Sequence, residues 1–258
     1  TPALARALAD RHRGVGFDQL AVLTAADRPG ADVRVTYWNA DGSTSAACGN
    51  ATRCIARLLL DEGRGPELAI DVAGRGVLTA GLRADGIVSV DMGKPALAWE
   101  AIPLAEPVDT LSLPLARAPV AVNMGNPHAV HFVEDLDAVD WRAEGAVVEH
   151  HALFPERTNV QFVQVLSRRV VRAAVWERGV GPSLASGSSA CAIAVAGHLR
   201  GLTDRVVSVM LPGGTLEIEW RADDHVLMAG PVADVFEGRL TPAFLAGLAG
   251  DAAREAAE

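Results

Sequence analysis

"CGNATRCIARLL", residues Cys48–Leu59, and "SGSSACAIAVAG", residues Ser186–Gly197, follow one plan. Each opens on a small polar residue, passes through Gly and then Asn or Ser, and enters an apolar run with a cysteine inside it, Cys54 in the first and Cys191 in the second. The spacing predicts two helices entered at Gly49 and Gly187. Similar entrances in corresponding parts of one chain point to an internal duplication whose helix N-termini face one another. A helix N-terminus carries unpaired N–H groups and the positive end of the helix dipole, so it stabilises a carboxylate or a thiolate. Gly49 and Gly187 would let the backbone approach such a ligand closely. Cys48 reads either as a small buried apolar residue or as a thiol activated at a helix entrance. Its setting among Asn39, Asp41, Gly49 and Asn50 favours the second.

Outward from these segments, Thr1-Pro2 opens a helix expected to run to about His12, followed by strands at Gln19 and Asp32. The helix after Cys48 is expected to turn Ile55, Leu58 and Leu59 to one face. Short strands "ELAIDVA", "GVLTAGL" and "GIVSVDM" follow, with Ala84-Asp85-Gly86 as a hairpin signal. A Pro- and Ala-rich stretch from about Trp99 to Pro119 reads as a connection. The second half repeats the plan, with a helix expected near Asp135 to Gly145 and strands on both sides of the Ser186 helix. We expect units at 1–117 and 118–240, the latter with a last strand near 230–240 that packs on the first half, and a helical tail at 241–258 opened by Thr241-Pro242. The mixture is α+β rather than a doubly wound parallel sheet.

The chain has 258 residues, half of them hydrophobic, and a formal charge of -9. That suits one large domain or two smaller ones with real cores. No run is long enough to cross a bilayer and no basic-then-apolar leader is visible, so the expected setting is cytoplasmic. Net acidity without a basic stripe argues against nucleic acid as partner. The three cysteines fit a reducing compartment better than a disulfide framework. Lys94 is the only lysine and sits in a turn, a poor candidate for the Schiff base of a pyridoxal-phosphate enzyme. The chain opens on Thr1 rather than Met, which reads as processing or truncation.

The pieces "RHRGVGFDQL", "YWNADGS", "ACGNATRC", "NMGNPHAV", "PERTNVQFV", "WERGVG", "ASGSSACA" and "GPVADVFEG" occur in one order, and with them the chain resembles the diaminopimelate epimerase family over nearly its whole length. The resemblance implies two pseudo-twofold-related, barrel-like α/β halves, each around a central helix, with the substrate between them. It implies cofactor-independent epimerisation of LL-2,6-diaminopimelate to the meso form, no metal, an amino-acid substrate and a homodimer. In that family two cysteines face the substrate α-carbon from opposite sides, one removing a proton and the other returning one, as inversion requires.

Cys48 matches the first of these, but Ser186 stands in place of the second. By the same resemblance Gln19, Asn39, Asn126 and Asn159 contact substrate. Gly49, Asn50, Gly187 and Ser188 present helix amides to its carboxylate, Glu177 and Arg178 meet its amino and carboxylate groups, and His128 lies close by. Cys191 is expected inside its helix and not at the α-carbon. Ser189 replaces a glycine and is expected to obstruct backbone approach. The family's usual first strand and its "HGLGNDF"-like loop precede the point where this chain begins.

The change at 186 leaves three readings open: a Cys-to-Ser replacement, a paralogue with altered chemistry, or a natural low-activity enzyme. A related racemase, a single-base eliminating enzyme and a catalytically dead amino-acid-binding homologue are the alternatives in function. A serine hydrolase lacks its G-x-S-x-G elbow at Ser186, and adjacent His150 and His151 without an H-E-x-x-H pattern make a weak metal site.

Overall fold

A computed structural model describes residues 1–45 and 49–247; Cys48 and the residues after 247 lie outside the described residues. The first helix, α1 (Pro2–Ala9), is shorter than expected. Thr1 caps it, its Oγ accepting from the Leu4 N–H at 3.3 Å, and Asp10 ends it. After it come β1 (Gln19–Thr24), β2 (Val33–Asn39), β3 (Thr44–Ser45), α2 (Gly49–Asp61), β4 (Glu67–Val72), β5 (Gly76–Leu82) and β6 (Val88–Asp91). The second half holds β7 (Val120–Asn123), β8 (Pro127–Val133), α3 (Trp141–Glu149), β9 (Asn159–Ser167), β10 (Val170–Glu177), β11 (Gly181–Ser183), α4 (Gly187–Leu199), β12 (Val206–Leu211), β13 (Gly214–Trp220) and β14 (Val226–Gly230).

The pairing repeats. In the first half β2 runs antiparallel to β1 and β3 and parallel to β4, and β4, β5 and β6 continue as an antiparallel meander. In the second half β10 runs antiparallel to β9 and β11 and parallel to β12, and β12, β13 and β14 continue likewise. In each half the helix bridges the hairpin and the parallel strand, as a parallel connection requires. The two last strands then pair antiparallel with Met228 opposite Val90, which joins both halves into one continuous sheet about a local twofold. This is the expected α+β architecture, with one central helix per half.

α4 is buried on every side, from Ala190 to Gly197, and its alanines let the second half close around it. A helix apolar all round belongs inside a core. α2 is amphipathic and buries Ile55, Ala56, Leu59 and Leu60. Leu58 departs from the expected face and is 46% exposed, because the stripe centres on positions 52, 55, 56, 59 and 60. Two element boundaries also differ, one of a helix and one of a strand. α3 starts at Trp141, later than expected, because Asp140 supplies the cap to the Ala143 N–H. The crossing strand lies at Val226–Gly230, and residues 231–240 form no strand.

Residues 99–119 carry no helix or strand, yet they are not a loose connection. Ile102, Leu104 and Leu113 are buried with Ala121, Ala129, Leu153 and Phe154 in a small core of their own. Thr241 opens a helix over 242–247, its Oγ accepting from the Phe244 N–H.

Candidate active site

The two helix entrances meet. A side chain added at Gly187 would come within 3.3 Å of the Gly49 Cα and 2.7 Å of the Met228 Sδ, and one added at Gly49 within 2.9 Å of the Met228 Cε. Glycine at both positions leaves room for Met228, the wedge beneath them, and at Gly187 also for the facing Gly49 backbone. Ser186 occupies the N-cap of α4 in extended conformation and is buried, but its hydroxyl does not cap the helix. Thr1 and Asp140 do cap theirs. Among the described residues no side chain caps the first-turn N–H groups of α4, which suits a ligand carboxylate.

Around this entrance the second half gathers five of the expected residues. Glu177 ends β10 beside the Ser183 and Ser186 hydroxyls; burial pushes its carboxyl pKa up, and those two donors oppose the shift. Asn159, which opens the neighbouring strand β9, accepts the Arg178 N–H at 3.1 Å and donates to the Pro127 carbonyl at 2.9 Å. Arg178 Nη1 donates to the Glu156 carbonyl at 3.1 Å. His128 lies opposite Asn159 on β8 and is fully buried. Its pKa falls to about 3, chiefly through burial and further through the Arg178 charge, so it is neutral at any working pH. Its Nε2 bonds the Asn126 Oδ1 at 2.9 Å.

In the first half Gln19 donates to Asn39 at 3.0 Å, and Asn39 donates to Ser43 Oγ at 2.9 Å. Among the described residues these hydrogen bonds stay within the first half. Gln19 and Asn39 face each other across the β1–β2 ladder at the place that Asn159 and Glu177 hold in the second half. Asn50 accepts from Arg53 Nη1 at 3.2 Å, which ties it to the helix entrance.

One expectation changes. Ser189 does not stand in the approach to the helix N-terminus: it is fully buried, and its hydroxyl accepts from Gln161 at 3.0 Å on the inner side of α4. Two positions were missed. Gln161 bridges Ser189 and His128. Glu149 accepts the Trp176 Nε1–H at 2.6 Å and the Gly179 N–H at 2.8 Å, which braces the turn carrying Glu177 and Arg178. Cys191 lies where expected, wholly inside α4, with burial pushing its thiol pKa up to about 12; it is no acid or base near neutrality. Cys54 is exposed.

Two surface cavities lie away from this cluster. One of about 270 Å³ is lined by Arg28, Arg34, Asp71 and Arg75, and Asp71 already pairs with Arg28 and Arg34. The other, about 500 Å³, lies between Trp141, Arg142, Arg172 and Met210. Neither carries the chemistry that the helix entrances offer.

Residues 1–98 and 120–235 match the family model described as diaminopimelate epimerase. The chain belongs to the diaminopimelate epimerase family. Within it, the diaminopimelate epimerase of Rhodospirillum centenum is 50% identical over 251 residues, which is 96% of this chain and 86% of the relative. That of Acidiphilium cryptum is 51% identical, over 95% of this chain and 89% of the relative. Among solved structures, a phenazine biosynthesis protein of the PhzF family from Bacillus anthracis has a TM-score of 0.62 at 15% identity, covering 88% of this chain and 84% of that one. A probable proline racemase from Agrobacterium radiobacter has a TM-score of 0.60 at 18% identity, covering 97% and 87%. At such identity these two speak for the fold alone. The stretch that the diaminopimelate epimerase model leaves out, 99–119, coincides with the separately packed connection.

Proposed function

We propose that this chain epimerises LL-2,6-diaminopimelate to meso-diaminopimelate by acid/base chemistry at one α-carbon, without a cofactor. The observation that carries the reading is the family match over nearly all of both halves. The meeting of the two helix entrances at Gly49 and Gly187 supports it. In this reading the substrate carboxylate takes the free N–H groups of α4 and those of Asn50, while Glu177 and Arg178 meet the polar groups at the α-carbon. Cys48 as thiolate removes the α-proton, and the carbanion is reprotonated from the opposite face.

That opposite face is held by Ser186, and this sets the rate. A hydroxyl gives up its proton far less readily than a thiol and is a poor base near neutrality, so inversion should be slow while binding and proton removal by Cys48 persist. The same substitution favours a second reading, in which the protein binds diaminopimelate and exchanges its α-proton without inverting it. A cytoplasmic homodimer belongs to the proposal through the family resemblance.

Incubation with LL-diaminopimelate, followed by separation of the stereoisomers, tests the reading. Accumulation of the meso form, with no racemisation of proline or hydroxyproline, is the expected result. Failure of LL-diaminopimelate to bind in calorimetry would overturn both readings.

A further inference from the structure

A buried chain of side chains runs from the inner face of α4 to the site: Ser189, Gln161, His128 and Asn126. Ser189, Gln161 and His128 are each fully buried. The Gln161 side-chain amide nitrogen donates twice, to Ser189 Oγ at 3.0 Å and to His128 Nδ1 at 3.0 Å. With the Gln161 amide nitrogen turned to it, Nδ1 can only accept, and the single proton of the neutral ring then belongs to Nε2, 2.9 Å from Asn126 Oδ1. The Asn126 carbonyl is thus occupied from behind, and its NH2 end is the one left to face a ligand. Gln161 Oε1 is buried with no partner among the described residues, a penalty that an apolar side chain would not carry. A network kept at that penalty contributes orientation more than stability.

We infer that Gln161 and Ser189 are positioning residues that hold His128 as its Nε2–H tautomer and through it fix the Asn126 amide with its donor end toward the substrate. The orientation is built from two elements that fold together, β9 and α4, so the α4 entrance and the Asn126 donor are set by one piece of structure. The role given to Asn126 rests on the epimerase reading; the tautomer does not.

Nitrogen NMR of the histidine-labelled full chain, with the His128 signals assigned by replacement, reads the tautomer in the free protein. The expected result is a protonated Nε2 and an unprotonated Nδ1. Gln161→Glu places an acceptor opposite Nδ1 and should invert the tautomer. Ser189→Ala, which removes one of the two anchors of Gln161, should broaden or shift the Asn126 side-chain amide signals. In calorimetry with LL-diaminopimelate, Gln161→Glu and Gln161→Leu should each weaken binding about tenfold, the upper end for one neutral hydrogen bond, with little change in melting temperature. If Gln161→Leu does not fold, the other two variants carry the test. A protonated Nδ1 in the parent protein overturns the proposal, as do unchanged His128 and Asn126 signals in folded Gln161→Glu and Ser189→Ala. Loss of the tautomer pattern in the variants of a protein that binds no diaminopimelate would uphold the bracket and refute the epimerase reading alone.

Discussion

At the scale of single residues, one added methyl group would crowd the junction of the two helix entrances. Alanine is the better helix former, by up to about 1 kcal/mol over glycine, so propensity alone would favour Gly187→Ala. The close approach of Met228 and Gly49 reverses that sign, because overpacking a tight junction costs about 1–3 kcal/mol. Urea unfolding should show Gly187→Ala less stable than the parent by about that amount, with part of the loss recovered on adding Met228→Ala. A Gly187→Ala protein as stable as the parent would mean that the junction accommodates a methyl group and that packing against Met228 does not demand glycine. The two glycines were legible in the sequence as a repeated entrance, but the wedge beneath them was not. Met228 lies far along the chain, and nothing in its local pattern marks it as the residue beneath both entrances. The role expected of Ser189 failed for a related reason. Its position in the helix entrance said that it was near the site, and only the helix phase decides that its hydroxyl points inward to Gln161.

At the scale of elements, the turn between β10 and β11 carries Glu177 and Arg178 and is held from outside by Glu149, at the C-terminal end of α3. Glu149→Ala removes the acceptor of the half-buried Trp176 indole N–H and of the Gly179 N–H, and a lost hydrogen bond of this kind costs about 0.5–1.5 kcal/mol. The expected outcome is a destabilised protein whose affinity for diaminopimelate falls several-fold, while Glu149→Gln, which keeps one acceptor oxygen, retains most of both. Unaltered binding by a folded Glu149→Ala protein would show that the turn needs no brace. Strands and helices were mostly legible, because alternation and capping are local signals: Thr1, the Ala84–Gly86 hairpin and the order of strands around each helix all follow from them. What was not legible depends on distant partners. β9 is buried on both faces at its start, so no alternation marks Gln161 as facing His128. Leu58 was placed on the wrong edge of its stripe because the core that decides the stripe comes from β4, β5 and β6. The short strands β3 and β11 carry no periodicity of their own and exist only as the third member of a hairpin.

At the scale of the whole molecule, two buried histidines make the fold sensitive to acid. Burial lowers the pKa of His128 to about 3, and that of His131, stacked on Phe162, to about 4. In the unfolded chain both titrate near the ordinary value of about 6.5. Below that pH the unfolded state binds more protons than the folded one, so stability is full above about 6.5 and falls as the pH drops toward the folded values. At pH 5 the loss is about 2 kcal/mol per histidine. Urea unfolding at pH 7 and pH 5 should show this loss, and His131→Phe should remove about half of the difference; an undiminished difference in that variant would place the acid sensitivity elsewhere. The larger design is the local twofold itself, which brings one helix entrance from each half to a single point and gives an α-carbon there two opposed faces. In the proposed mechanism Ser186 is the one of the two acid/base positions without a thiol, and restoring it tests the design most directly. Incubation of the parent and Ser186→Cys with LL-diaminopimelate in heavy water, scoring deuterium uptake and inversion together, should show slow exchange with little inversion in the parent. In the variant, inversion should be about 10²–10⁴-fold faster, the usual worth of a positioned acid or base. A folded Ser186→Cys protein that binds diaminopimelate but inverts it no faster than the parent would contradict the account.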